Sequence, residues 1–355
     1  MMYWPLGTGS PGACRRSGMI MVTMTKKERI DAALKGEEVD RVPISFWRHF
    51  YQQERDPSLL ADALLAFQRD FQWDFVKVNP RASYHTEGWG NRYSYSDDPN
   101  SRPIEERHAV HSRNDWANIA ELDIWRTDAL KQQLVLIELM KEGLQGENVY
   151  FLHTVFSPLA VAYALVGQSI ERLVEAMENE AAELHGALKA ITATFVKYVV
   201  ATLDAGASGI FFSPTKLASL DMMTPRQYDH FGTPYDLQLL AAAAGRPGFN
   251  LLHLCGENIL FEKLRSYPVD AVSWDPTLPG NPGLREGREI SGKMVVGGLS
   301  NSALQGGRPG VVAAEVTKII EETGGRGLVI APGCTFRPNT PREILDAALD
   351  ARDNR

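Results

Sequence analysis

Cysteine is scarce in this chain of 355 residues: Cys14, Cys255 and Cys334 are the whole set. So sparse and odd a complement forms no disulfide framework, and a reducing cytoplasm is the expected compartment. Basic residues are outnumbered as well. The 37 Lys and Arg face 44 Asp and Glu, for a formal charge of -7, which argues against a phosphate backbone and so against nucleic acid as a partner. No uninterrupted apolar run approaches the roughly 18 residues of a membrane span, and no membrane partner is expected. Nucleotide signatures are missing too: no Gly-x-Gly-x-x-Gly follows a first strand, and there is no Walker motif. What is left is 44% hydrophobic and 23% charged, the composition of an ordinary globular protein. Its length holds one large domain or two ordinary ones, and α/β barrels routinely use such a length as one domain.

Positions 1–24 differ in kind. They hold Gly7-Thr8-Gly9-Ser10-Pro11-Gly12 and Arg15-Arg16, then the short apolar Met19-Ile20-Met21-Val22. That piece is too short and poorly flanked for a secretory signal. A disordered N-terminal extension is expected, or a true start at Met21 or Met24, and Cys14 has no assigned role.

From Thr25, a helix cap, short apolar runs alternate with helical patterns. Strands are expected at 44–47, 75–78, 149–154, 209–212, 249–255, 271–274, 294–299 and 328–331. Helices are expected between them, including one long pattern over 169–205 with a break near Asn179, and a last helix over 341–351 capped by Thr340. Eight strands alternating with helices imply a parallel sheet, and a (β/α)8 TIM barrel forming a single domain over 25–355. Between 81 and 123 the periodicity dissolves into Gly, Ser, Tyr, Trp and Pro. Such a stretch either covers a site or forms a solvent-exposed hairpin.

The organising stretch is Phe249-Asn250-Leu251-Leu252-His253-Leu254-Cys255-Gly256. In a strand, His253 and Cys255 project to one face. Cys334 closes a second apolar run, Ile330-Ala331-Pro332-Gly333-Cys334. One His and two Cys, with a position left open, form a catalytic zinc set. The same residues also suit a core histidine and two small apolar cysteines. The shared location of His253, Cys255, Asp275 and Cys334 at C-terminal strand ends is what favours one site, because barrel sites sit there.

These residues carry a resemblance. From about Lys26 onward the chain resembles the uroporphyrinogen decarboxylase superfamily. The resemblance rests on Glu28-Arg29-Ile30 through Glu38-Val39-Asp40-Arg41-Val42-Pro43, on Ser157-Pro158-Leu159-Ala160, on His253-Leu254-Cys255-Gly256, and on Gly333-Cys334 followed by Pro338-Asn339-Thr340-Pro341. It implies a (β/α)8 barrel and one of two chemistries. Decarboxylases of the superfamily carry Met-Arg-Gln-Ala-Gly-Arg after the first strand, and Trp47-Arg48-His49-Phe50-Tyr51-Gln52 keeps only Arg48. Where they place a catalytic Asp this chain has Asn79-Pro80-Arg81, and their Gly-His is Gly333-Cys334 here. Tyr163 matches the decarboxylase tyrosine. The other branch, similar to methylcobalamin:coenzyme M methyltransferase, is zinc-dependent, and His253, Cys255 and Cys334 fit its ligand signature. The resemblance implies Asp275 or water in the fourth zinc position, family homodimers, and a methylcorrinoid as co-substrate.

The expected activity is therefore methyl transfer from a methylated corrinoid to a thiol activated on zinc. The corrinoid is expected to arrive on a separate carrier protein, because this chain lacks the Asp-x-His-x-x-Gly of a corrinoid-binding domain. Arg48 and Arg81 are candidates for holding an anionic group of the acceptor, and Asp221 and His153 for lining the mouth. Two rivals stand beside this reading. One is a cofactor-free decarboxylase using Arg48 and Tyr163. The other is a non-catalytic barrel that binds a tetrapyrrole.

Overall fold

The computed structural model describes residues 23–354. The extension expected over 1–24, Cys14 included, lies outside the described residues except for its last two positions. Helix Lys26–Leu34 opens on the expected Thr25 cap, with Glu28 completing a reciprocal capping box.

Seven parallel strands form the main sheet: β1 (Phe75–Val78), β4 (Tyr150–Phe156), β5 (Gly209–Ser213), β6 (Leu251–His253), β7 (Ala271–Trp274), β8 (Met294–Leu299) and β9 (Leu328–Pro332), in that spatial order. β2 (Arg92–Ser94) and β3 (Ile104–Arg107) pair antiparallel as a separate hairpin. The main strands are short and apolar because both faces are buried. One face packs under the helices. Phe75, Leu152, Phe211, Leu251, Ala271, Val296 and Val329, one from each strand, meet Trp47 in a second cluster. A sheet whose first and last strands share that cluster is strongly curled.

The strand expected at 44–47 is reduced to one bridge, Ile44 to Ile330. Pro43 has no N–H, and the Ile44 N–H donates to the Asp74 carboxylate at 2.8 Å instead of to a neighbouring strand. The segment still touches both sheet edges. Ser45 N–H donates to the Ile330 carbonyl at 3.0 Å, and Asp74 N–H donates to the Ile44 carbonyl at 2.9 Å.

The long helical pattern breaks one residue past Asn179, into Ile170–Asn179 and Ala181–Ala205. At the break, the Glu180 carboxylate accepts from Trp116 Nε1 at 3.0 Å and Arg172 Nη2 at 2.7 Å. By length and composition alone Ala181–Ala205 could cross a membrane, with a window of mean hydropathy 1.3. Its Leu184, Leu188, Ile191, Phe195 and Tyr198 are core residues here.

Elsewhere the expected boundaries shift. Between β5 and β6 the helical stretch divides at Gly232 into Pro225–Phe231 and Thr233–Ala243. Thr340 does not cap the last helix, Arg342–Asp353; Pro341 occupies the cap with no side-chain bond. The stretch over 81–123 is the half-exposed β2–β3 hairpin flanked by the one-turn helices Tyr84–Glu87 and Arg113–Trp116.

Candidate metal centre

β6 ends at His253, so Cys255 lies just past the strand rather than on its face. Leu254 N–H still donates to the Ser273 carbonyl at 2.8 Å, and Gly256 then turns the chain with φ +98°. That left-handed conformation suits glycine. Cys334 follows β9 through Gly333. Asn281, which sequence reasoning missed, ties the turn down: its Nδ2 donates to the Gly256 carbonyl at 2.9 Å and to the Asp275 carbonyl at 2.8 Å.

These turns bring the ligand atoms of His253, Cys255 and Cys334 within 4.8 Å of one another. The two sulfurs are 3.7 Å apart. Two thiolates bound to one tetrahedral zinc at about 2.3 Å would be separated by about 3.8 Å. A disulfide would need about 2.05 Å. His253 Nδ1 lies 3.2 Å from Ser273 Oγ, an outer partner that leaves Nε2 as the free ligand atom. The donor set and its spacing fit zinc.

The sulfurs are electrostatically unequal. The hydrogen bond from the Cys255 thiol holds the Cys334 thiol well below its ordinary range, helped by His253 and the Lys77 charge. The same bond, with burial and the Cys334 charge, pushes Cys255 up.

Asp275 is not part of the three-residue convergence. Its Oδ1 accepts from Thr277 N–H at 2.9 Å and Thr277 Oγ1 at 2.6 Å. Its side chain abuts Gly333, where an added Cβ would fall 2.5 Å from Asp275 Oδ2.

A cavity of about 190 Å³ opens onto the sulfurs, lined also by Lys77, Asn79, Phe211 and Thr215. Sequence reasoning placed Lys77 in its strand but gave it no role, although a lysine inside an apolar strand is itself a signal. Burial pushes its ammonium down to about 7. A larger cavity of about 350 Å³ lies beside the first, under the hairpin, and shares His49 and Ala82 with it.

The remaining candidates point elsewhere. Arg48 lies over the Phe50 ring at 4.5 Å and donates to the Pro338 carbonyl. Arg81 pairs with Glu87 at 3.2 Å. Tyr163 is buried on helix Pro158–Leu165, with Lys216 5.6 Å from its ring. Asp221 accepts from Asn258 at 2.8 Å. His153 bonds the Tyr198 hydroxyl at 2.8 Å, and burial pushes its pKa down to about 3. None of these five lines the sulfur cavity.

Comparison with known proteins adds the family. The model of the family described as uroporphyrinogen decarboxylase (URO-D) matches residues 25–355. Two curated relatives, both methylcobamide:CoM methyltransferases of Methanosarcina barkeri, are 24% identical over 350 residues, covering 94% of this chain and 99% of theirs. A solved methyltransferase from Methanosarcina mazei superposes with TM-score 0.74 at 24% identity, over 93% of this chain and 98% of that one. A B12-independent methionine synthase from Shewanella sp. W3-18-1 superposes with TM-score 0.54 at 13% identity, over 88% and 97%. These structural likenesses speak to the fold.

Proposed function

The chain belongs to the uroporphyrinogen decarboxylase family, and on that premise we propose that it is a zinc-dependent methyltransferase. It moves a methyl group from a methylated corrinoid, brought by a carrier protein, to a thiol acceptor. The observation that carries this reading is the sulfur pair 3.7 Å apart with His253 beside it. The two curated methyltransferase relatives, matched over nearly their whole length, support it.

His253, Cys255 and Cys334 would hold the metal. Zinc bound there supplies the Lewis acidity that keeps a thiol deprotonated near neutral pH. Ser273 orients the imidazole and Asn281 fixes the turn that carries Cys255. In the transfer a sulfur–carbon bond forms, the cobalt–carbon bond breaks, and its electron pair stays with the corrinoid. Asp275, whose Oδ1 is held by Thr277, is the neighbouring acidic group that would fill the fourth position, or water would, until the acceptor displaces it.

We further propose that segment 43–46, bonded to both sheet edges, closes the sheet into a (β/α)8 barrel spanning 25–355. A two-thiolate site suits a reducing compartment, and we place the protein in the cytoplasm. Decarboxylation draws no support from the cavity, since Arg48 and Tyr163 do not line it.

Elemental analysis of protein produced in zinc-supplemented medium tests the proposal. About one zinc per chain is expected in wild type and none in Cys334→Ala. Methylation of a thiol by a methylcorrinoid should follow the metal content. Wild-type protein that carries no zinc would overturn the mechanism.

A further inference from the structure

Cys255 and Cys334 are 79 residues apart in the chain and 3.7 Å apart at their sulfurs. Among the described residues they are the whole cysteine set, and both are free. Neither lies within a strand: Cys255 comes two residues after β6 ends, and Cys334 two residues after β9 ends. Each has a glycine beside it, Gly256 after the one and Gly333 before the other. Closing the pair from 3.7 Å to the roughly 2.05 Å of a disulfide asks each sulfur to move by less than about 1 Å. A small rotation about each Cα–Cβ bond covers that distance.

The cavity of about 190 Å³ gives a small molecule access to both sulfurs. Part of its wall is polar. Lys77 Nζ donates to Asn79 Oδ1 at 2.7 Å, while Asn79 Nδ2 and Thr215 Oγ1 are buried with no hydrogen-bond partner. Unpaired donors favour the entry of small polar molecules rather than exclude them. At roughly 30 Å³ for a water, the cavity has room for hydrogen peroxide beside the thiols. The charge of Lys77 acts on both sulfurs, and an electropositive, accessible setting is the one in which cysteines meet oxidants.

We infer that Cys255 and Cys334 form a reversible oxidation site, closed to a disulfide by a hydroperoxide and masked by bound zinc. First, one sulfur attacks a peroxide oxygen. The O–O bond breaks, a sulfenic acid forms and water leaves. The second sulfur then attacks the first. The S–S bond forms, the S–O bond breaks, and that oxygen leaves as a second water with the proton of the second thiol. Two thiols and one hydrogen peroxide thus give one disulfide and two waters, with the sulfurs oxidised and the peroxide oxygens reduced. The product has lost two of the three soft ligands, and His253 alone does not retain zinc. Zinc, conversely, engages both sulfurs and withholds them from the oxidant. The pairing goes beyond the methyl-transfer reading and stands without it; only the masking rests on the zinc.

Thiol counting after hydrogen peroxide treatment tests the site, on full-length Cys14→Ala protein either supplied with zinc or stripped by a chelator. The stripped chain should lose both thiols and two hydrogens of mass, and digestion should yield one peptide pair joining Cys255 to Cys334. Dithiothreitol should restore both thiols and zinc binding. The zinc-supplied chain should keep its thiols at least about tenfold longer. Oxidation of the stripped chain in denaturant, where the fold no longer holds the sulfurs together, should close the disulfide at least about tenfold more slowly. Should stripping unfold the protein, His253→Ala, which keeps both sulfurs and lacks one ligand, takes its place under the same criteria. Sulfinic acid at either cysteine, disulfide-linked dimers, surviving thiols, or closure as fast in denaturant would each overturn the inference. Equal rates with and without zinc divide by metal content. If the supplied chain holds zinc, the masking is overturned; if it holds none, the pairing stands and the zinc-dependent reading falls.

Discussion

Arg48 donates a hydrogen bond to the carbonyl of Pro338, four residues after Cys334. Its guanidinium also covers the rings of Phe50, at 4.5 Å, and Phe67, at 5.7 Å. Through these contacts the arginine spans two segments. It ties the segment after Trp47 to the loop that leaves the metal centre.

Arg48→Ala should accordingly act on stability more than on substrate binding. It removes a hydrogen bond and two cation–π contacts, each about 0.5–2 kcal/mol. A drop of about 1–3 kcal/mol in unfolding free energy is expected, with the acceptor KM changed less than about threefold. Chemical denaturation and steady-state kinetics check it. A large rise in KM with stability intact would return Arg48 to the substrate.

Gly333→Ala should disturb the centre without touching a ligand. The new Cβ would lie 2.5 Å from Cβ, Cγ and Oδ2 of Asp275, so either the aspartate or the turn into Cys334 must move. Overpacking of this kind costs about 1–3 kcal/mol. Zinc should be held at least about tenfold less tightly, as is typical when outer-shell supports of a ligand are lost. Competition with a chromogenic chelator measures it, and wild-type affinity would show that the approach is not needed.

The third prediction concerns pH. Asp236 is fully buried, accepts from Tyr228 at 2.7 Å and Tyr267 at 2.9 Å, and is pushed up to about 7 by burial. A raised carboxyl pKa means the folded state holds a proton that the unfolded state releases near pH 4. The contribution is complete below that value and is lost as pH rises through about 7. Asp236→Asn, which mimics the protonated acid, should flatten this fall, so its advantage over wild type grows from pH 5 to pH 8 by on the order of a few kcal/mol. Urea midpoints at the two pH values test it. Parallel profiles would mean that Asp236 is already ionised at pH 5.

Much of the architecture was legible in the chain. A parallel strand buried on both faces must be apolar throughout, and seven such runs were found close to where β1 and β4–β9 lie. The break near Asn179 was legible too. The first run failed as a strand because Asp74, which is distant in sequence, captures the Ile44 N–H. The motif Glu28-Arg29-Ile30 through Asp40-Arg41 turns out to be scaffolding: Arg29 bonds Asp40 at 2.7 Å and Asp74 at 2.5 Å. Sequence similarity marks such a buried ion network as readily as it marks chemistry.

By itself, the sequence determined the alternation of elements and the three soft ligand types at strand ends, because periodicity and residue chemistry are local properties. Only the tertiary structure decided that Cys255 and Cys334 approach to 3.7 Å, that Lys77 enters their cavity and that Arg48 does not. Those facts depend on how far the sheet curls and on which rotamer each long side chain takes against neighbours brought from other parts of the chain. No run of adjacent residues encodes either one.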